Sequence, residues 1–295
     1  MARIGFVGLG HMGLPMAINL VNAGHVVTGF DLQTTAMDNF LMSGGNKAAT
    51  LQDAACSQDI VITMLQTGQQ VQHVCLGDQG LLRSAKKNTL FIDCSSIDVQ
   101  SSRQINQEAQ RLQLHAVDAP VSGGVTGAAR ATLTIMVGGT EHDFALAKII
   151  LAVLGKKIIH AGVAGSGQAA KICNNMILGI SMIAVSEAFT LAEHLGLTPQ
   201  KLFEVVTNSS GQCWAMSNYA PVPGLLDNVP ANNDYQPGFT VAMMLKDLCL
   251  SQQSAESVGV LTSMGEKATT LYQHFNDEGM GGLDFSAIIK AITKR

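Results

Sequence analysis

Ile4-Gly5-Phe6-Val7-Gly8-Leu9-Gly10-His11-Met12-Gly13 is the stretch on which the fold turns. Its opening residues read as a buried strand, and the residues after Gly13 read as a helix that runs to a stop at Ala23-Gly24. Gly8 permits a tight turn, Gly10 lets a pyrophosphate approach the backbone, Gly13 lets helix and strand pack closely, and the free N–H groups at the helix start bind the anion. Three glycines alone say little, so the context decides. A second strand, Val26–Phe30, ends in Asp31, 18 positions after Gly13, the spacing at which a carboxylate meets the adenosine ribose hydroxyls. Asp31 repels a 2′-phosphate, and Leu32-Gln33-Thr34 offers no Arg to receive one. The expected dinucleotide is therefore NAD rather than NADP, with Gly8, Leu9, Gly10, His11, Met12, Gly13 and Asp31 at its site.

Outward from this stretch, Asp59–Met64, Leu90–Asp93 and His115–Asp118 read as further strands alternating with helices, the signature of βαβ units and a parallel sheet. Leu133–Val137 and Lys157–His160 flank a helix from Glu141 and extend the same sheet. After Gly167 the character changes. Gln168–Leu195 has no Pro and only Gly179 within it, which suits one long helix closed by Gly196. Helices come next at about Pro199–Asn208, Thr240–Val258, Leu261–Asp277 and Phe285–Thr293, with no convincing strand. The expected fold is α/β: a Rossmann-type doubly wound sheet domain over residues 1–163, then an all-helical domain over 164–295, joined by the long interdomain helix. Tyr219–Phe239 holds four of the seven prolines and reads as an ordered functional loop inside the helical domain.

Composition narrows the function classes. The 295 residues carry 18 Lys and Arg against 22 Asp and Glu, and the basic residues never form the stripe that a nucleic-acid binder needs. The longest apolar run, Met176–Val185, contains Gly179 and Ser181 and falls short of the roughly 18–20 residues of a membrane span. A first strand at Arg3 leaves no room for a targeting leader, so a cytoplasmic protein is expected. Cys56, Cys75, Cys94, Cys173, Cys213 and Cys249 form no C-x-x-C pair; neither zinc site nor disulfide framework is expected, and most should be small buried hydrophobes.

Two later strand ends should border the dinucleotide crevice, because ligands of open α/β sheets bind beyond the carboxyl ends of the strands. There Leu65 could contact the ring system and the Ser96 hydroxyl the nicotinamide side, although each stretch equally suits a routine strand-to-helix turn. Hydride transfer from an alcohol also requires a proton acceptor. His11, His25 and His115 sit where structural roles are expected. Lys171 stands one turn into the long helix, after Gly165-Ser166-Gly167, within an uncharged stretch from Ala161 to Ser186. Burial there would lower its ammonium pKa toward the working range of an acid/base group, while a snorkelling helix lysine is the bland alternative. Asn175, four positions on, shares its helix face and could hold Lys171 or a substrate hydroxyl. Asp118-Ala119-Pro120-Val121-Ser122-Gly123-Gly124 offers a hydroxyl and flexible backbone N–H groups that suit a carboxylate, or simply a Gly-rich turn. Lys246, with Ala242, Met243, Leu245 and Leu248 around it, reads as part of a buried helix or as one exposed amphipathic lysine.

Together these residues resemble the β-hydroxyacid dehydrogenase family over essentially the whole chain. The resemblance rests on Gly5–Gly13, Asp118–Gly124, Gly165-Ser166-Gly167-Gln168-Ala169-Ala170-Lys171-Ile172-Cys173-Asn174-Asn175, and Lys246-Asp247-Leu248. It implies Lys171 as general acid/base, Ser122, Gly123 and Gly124 on the substrate carboxylate, and Asn175 orienting the substrate. It further implies Leu65, Gln66, Gln70 and Ser96 along the nicotinamide side, Lys246 over the cofactor, an interdomain cleft, and a homodimer or homotetramer built through the helical domain. The chain departs from the family in having Leu65-Gln66 where relatives carry Leu-Pro, and Ser95-Ser96 where they carry Ser-Thr.

Cys213-Trp214, Pro221-Val222-Pro223-Gly224 and Asn232-Asn233-Asp234-Tyr235 are similar to members acting on 3-hydroxyisobutyrate, which puts Trp214 at the substrate. The function this implies is NAD-dependent oxidation of 3-hydroxyisobutyrate to methylmalonate semialdehyde, a step of valine breakdown. The alternatives are an NADPH-dependent tartronate semialdehyde or glyoxylate-type reductase of the same family and, remotely, a non-catalytic NAD-binding sensor. Phosphogluconate-type decarboxylation is not expected, since the chain lacks the length for a larger helical domain and an Arg cluster for a phosphate.

Overall fold

Side chains alternate along the first strands, and the alternation builds two cores on one sheet. Ile4, Phe6, Ile60, Ile62, Leu90, Ile92 and Val117 pack into one hydrophobic cluster, while Val7, Val61, Phe91 and Ala116 pack into another. The strands are β1 (Arg3–Val7), β2 (Val26–Phe30), β3 (Asn46–Lys47), β4 (Ile60–Thr63), β5 (Leu90–Asp93), β6 (His115–Asp118), β7 (Val121–Ser122), β8 (Leu133–Gly138) and β9 (Gly155–Gly162). The structure, a computed structural model, describes Met1 to Thr293; Lys294 and Arg295, the last residues of the expected helical domain, lie outside the described residues.

Strand order is β3-β2-β1-β4-β5-β6-β8-β7, with β9 on β8. Registers such as Phe6↔Ile62, Ile62↔Ile92 and Asp93↔Asp118 align the carboxyl ends of β1, β4, β5 and β6. The order reverses beside β1, where a doubly wound sheet places its ligand crevice. β4 and β5 are buried along their whole length, as strands covered on both faces must be.

The sheet is not purely parallel as the alternation suggested. β8 runs antiparallel to β6 and β7. Residues 123–132 are all that separate β7 from β8, too few for the dozen or more that a parallel crossover needs. β3 and β7 have two residues each and carry no periodicity to read.

The helix Ser166–His194 forms as expected, ending before Gly196 at φ +80°. By length and composition alone it is apolar enough to cross a membrane, with an 18-residue window of mean hydropathy 1.5. One of its sides nevertheless sends Met182, Ile183, Val185 and Phe189 into a protein core, while Ile177 and Leu191 are exposed. The chain divides into two compact units, Met1–Lys171 and Ile172 onward, so the first turn of this helix belongs with the sheet.

The second unit holds helices Pro199–Thr207, Trp214–Tyr219, Val241–Ser257, Ser263–Phe275 and Ile289–Thr293. Thr198 and Thr240 cap two of them by accepting hydrogen bonds from Lys201 and Met243 N–H. Its core gathers Met244, Leu248, Tyr272, Phe275 and Phe285. The proline-rich segment is ordered. Asp284, fully buried, accepts from Tyr219 Oη (3.0 Å), Gly238 N (3.0 Å), Phe239 N (3.2 Å), Ser286 N (3.0 Å) and Ser286 Oγ (2.7 Å).

Candidate active site

The loop after β1 is shaped by close approach. A Cβ on Gly13 would fall 1.8 Å from Gly8 O, and one on Gly8, at φ +96°, 2.3 Å from Met64 O. A Cβ on Gly10 would meet nothing within 4 Å: this glycine borders open space, the room a pyrophosphate needs at the start of helix Gly13–Asn22. Leu9 is buried in the core, so only its backbone faces the loop, while His11 is exposed and Met12 half-buried. Asp31 is no loose strand end. Its Oδ2 accepts from Leu9 N at 2.7 Å and its Oδ1 from Gln33 N at 2.8 Å. A carboxylate accepts about four hydrogen bonds, which leaves capacity for a ribose diol. The glycine cradle and Asp31 together fit a dinucleotide.

Beyond β4, Leu65 is half-buried, and its N–H donates to Ser95 Oγ at 2.9 Å. Gln66 N–H donates to Gln70 Oε1 at 3.1 Å, and Thr67 caps the helix Gly68–Leu76 by accepting from Gln70 N. The N–H of Gln66, which a proline at this position would lack, thus braces the loop. The Gln70 carboxamide oxygen is therefore engaged with its own loop.

A buried polar hub joins the ends of β4, β5 and β6 to the long helix. Asp118 Oδ1 accepts from Gly165 N at 2.7 Å and Oδ2 from Gln168 N at 2.9 Å. Gln168 Nε2 donates to Ser95 O at 2.7 Å, and Gln168 Oε1 accepts from Ile97 N at 3.1 Å. Asp93 Oδ1 accepts from Thr63 Oγ1 and Ser95 N at 2.8 and 3.1 Å, while its Oδ2 has no hydrogen-bond partner. Burial pushes the Asp93 carboxyl up to about 6, against the hydrogen bonds that favour its charged form. Burial also raises Asp118, opposed by the backbone N–H groups it receives. A Cβ on Gly167 would lie 2.4 Å from Met136 O and 2.7 Å from Asp118 Oδ2, which is why this helix start is glycine-rich.

Lys171, one turn beyond Gln168, is 7% exposed, as expected for a desolvated lysine. Ser122 is half-buried, and Gly123 (φ +136°) and Gly124 (φ +62°) come directly after it; successive turns of this kind make a concavity of N–H groups. The first unit thus collects the glycine loop, Asp31, Leu65, Gln66, Gln70, half-buried Ser96, Ser122–Gly124 and Lys171 beyond the carboxyl ends of its strands.

In the second unit, Asn175 is buried, with Nδ2 donating to Asp247 Oδ2 at 2.5 Å and Oδ1 accepting from Asn174 Nδ2 at 2.9 Å. Asp247, buried, is the partner to which sequence reasoning gave no role of its own within Lys246-Asp247-Leu248; its signal was the one carboxylate among the residues Val241–Leu248. Lys246 Nζ lies 3.2 Å from Asp247 Oδ1, an ion-pair distance without hydrogen-bond alignment. Around Lys246, Leu245 and Leu248 are buried but Ala242 and Met243 are exposed, so this helix is amphipathic. Trp214 is 51% exposed and stacks on Tyr219 with ring centroids 5.1 Å apart.

The cysteines depart from expectation. Only Cys75 and Cys94 are buried, while Cys56 and Cys173 are exposed, because the latter two fall on the outer sides of their segments. His25 has a structural part, its Nδ1 accepting from Ala2 N at 3.2 Å.

Residues 3–162 match the family described as the NAD binding domain of 6-phosphogluconate dehydrogenase. Residues 165–292 match the one described as NAD-binding of NADP-dependent 3-hydroxyisobutyrate dehydrogenase. A solved Mycobacterium tuberculosis 3-hydroxyisobutyrate dehydrogenase with L-serine superposes with a TM-score of 0.95 at 46% identity, covering 99% of each chain. The NAD-dependent L-serine dehydrogenase of Pseudomonas aeruginosa is 42% identical over 98% of this chain and 97% of its own. The mitochondrial 3-hydroxyisobutyrate dehydrogenase of Rattus norvegicus is 41% identical over 97% of this chain and 86% of its own. With its glycine cradle, strand-end carboxylate and buried lysine in place, the chain belongs to the family of 3-hydroxyisobutyrate dehydrogenases, NAD-dependent oxidoreductases acting on CH–OH groups.

Proposed function

We propose that the chain oxidises 3-hydroxyisobutyrate to methylmalonate semialdehyde, with Lys171 as the proton acceptor. The observation that carries this reading is the burial of Lys171 on a helix turn tied to the sheet by Asp118 and Gln168. NAD, when bound, supplies the hydride acceptor. Everything else falls to the chain's own side chains. Lys171 Nζ, buried one helical turn beyond Gln168, takes the hydroxyl proton as the C3 hydride departs and returns it in the reverse direction. The Ser122 hydroxyl and the N–H groups of Gly123 and Gly124 receive the carboxylate, which disfavours neutral alcohols because they would leave those donors unpaired. The family resemblance assigns Asn175 and Trp214 to the substrate and Lys246 to the cofactor.

Lys171→Ala should keep NADH binding, measured by fluorescence, and lose turnover by about 10²–10⁴-fold, the usual worth of a positioned acid/base group. Appreciable residual rate at neutral pH overturns the assignment. Asp31 favours NAD over NADP and so opposes an NADPH-linked semialdehyde reductase; equal rates with the two coenzymes would refute that argument.

L-serine is the second reading of the substrate, since the Pseudomonas aeruginosa relative is named for it and the Mycobacterium tuberculosis structure was solved with it. Serine carries an amino group where 3-hydroxyisobutyrate carries a methyl, so parallel assays of the two, with glycerate, decide between an apolar and a polar pocket. A faster rate with serine reverses the present order. Exposed Ile177, Leu191 and Leu195 support a homodimer or homotetramer built on the helical unit, and six unpaired cysteines support a reducing compartment such as the cytoplasm.

A further inference from the structure

At the amino end of β6, away from the crevice, three potential metal ligands meet. His115 Nδ1 and Asp143 Oδ1 are 2.6 Å apart, and the His142 ring lies 5.2 Å from that of His115. One donor atom from each of His115, His142 and Asp143 falls within 4.8 Å of the others. We propose that these residues form a binding site for a divalent transition ion of the zinc class, which bridges β6 to the helix Glu141–Leu151.

Two of the ligands are held before any ion arrives. Asp143 is buried, and its N–H donates to Thr140 Oγ1 at 3.0 Å, which fixes the first helical turn. His115 is anchored by its place in β6, paired with Leu90. The ion takes the place of the hydrogen bond between His115 Nδ1 and Asp143 Oδ1, the imidazole binding as its neutral form through Nδ1 with its one proton carried on Nε2. Zinc binds imidazole nitrogen and carboxylate oxygen at about 2.0–2.2 Å, so the donors around it stand closer than 4.8 Å. Exposed His142 closes that gap by a side-chain rotation. Solvent fills the remaining coordination position. Two imidazoles and one carboxylate select borderline ions over Mg²⁺ or Ca²⁺, which prefer oxygen ligands. The positive end of the helix opposes a cation, and Glu141 and Asp143 in the first turn offset it.

The four residues of β6 separate His115 from Asp118 by about 10 Å, with Asp118 at the end that faces the polar hub. The ion therefore acts on stability and leaves the reaction alone, and the proposal stands whatever the substrate proves to be.

The test uses the full chain stripped with a chelator and titrated with Co²⁺, whose visible spectrum separates nitrogen and oxygen ligands from thiolate. One Co²⁺ per chain should bind without a thiolate charge-transfer band. His142→Ala should weaken binding at least tenfold, Asp143→Asn likewise, and His274→Ala should change nothing. Zn²⁺ at saturation should raise the melting temperature of the parent chain by about 3 °C or more and that of His142→Ala by none, with NAD-linked turnover unaltered and Mg²⁺ inert. Equal affinity in His142→Ala, a thiolate band, or turnover lost in step with metal uptake would each overturn the proposal. Because His142 is exposed, its replacement tests the ligand without testing the fold.

Discussion

Asp118 and Asp284 are both buried aspartates that gather backbone N–H groups, one in each unit, and they end in different work. Asp284 receives three N–H groups and two hydroxyls, from Tyr219, Gly238, Phe239 and Ser286, and these bonds tie the proline-rich segment to the end of the chain, with Trp214 stacked on the Tyr219 that Asp284 holds. Asp118 receives Gly165 and Gln168, and the network runs on through Gln168 to Ser95 and the end of β5, one helical turn from Lys171. The same physical device serves as a knot in the helical unit and as a positioning brace in the sheet unit. What differs is the element that its bonds lead to.

The knot should suffer most when cut. Asp284→Ala leaves the buried N–H of Ser286 and the part-buried N–H groups of Gly238 and Phe239 without their acceptor, and losing the acceptor of such a network costs about 3–5 kcal/mol. The melting transition of the helical unit should drop by about 10 °C, read by circular dichroism. A fall of only a degree or two would mean that the proline-rich segment holds itself and that the contrast with Asp118 is false.

Asp93, beside Asp118 in register, tests the other network through pH. Its folded pKa of about 6 lies above the ordinary 3.8 because of burial. The folded state therefore holds the proton more tightly than the unfolded state. The stability this contributes is fully present below about pH 4 and is lost as pH rises through about 6, a change on the order of 2–3 kcal/mol. Asp93→Asn cannot titrate, so its melting temperature relative to the parent should climb between pH 4 and pH 6.5. Asp118 shifts in the same direction, and its negative charge adds to what holds the proton on Asp93. A pH-independent difference would place the charge of Asp93 in a more solvated setting than the hub provides.

Much of this architecture was legible because its signals are local. The glycine turn, the alternating strands, the long helix and the isolated Lys171 each declare themselves within a few neighbouring residues. The hub does not: its hydrogen bonds join residues 47 to 73 positions apart, and no spacing announces them. Ser96 drew attention at the end of β5, and the buried Ser95 beside it, given no part by the sequence, bonds to Leu65 and Asp93. Asn175 was read through its helix face as a partner for Lys171 or substrate, yet its amide also answers to Asp247 across to another helix. His115 looked structural for the same reason, since His142 and Asp143 reach it only once β6 and the helix Glu141–Leu151 have packed.

The smallest expected effect bears most directly on the difference between knot and brace. Gln168→Leu keeps the size of the side chain but strips the acceptor from Ile97 N and the donor from Ser95 O, while the main-chain bond from residue 168 to Asp118 survives. If the hub positions Lys171, the helix start stays attached yet loses its lateral fix, and kcat should fall about tenfold, a loss of about 1.4 kcal/mol in the transition state. KM and the NADH dissociation constant should hold, because neither the glycine loop nor the Ser122 turn is touched. If the hub only supports the fold, the variant instead loses NADH-binding stoichiometry in proportion to its activity, and each molecule that still binds NADH turns over at the parental rate. Activity per bound NADH separates the two outcomes: a parental value would make Asp118 and Gln168 a second knot, no different in kind from Asp284.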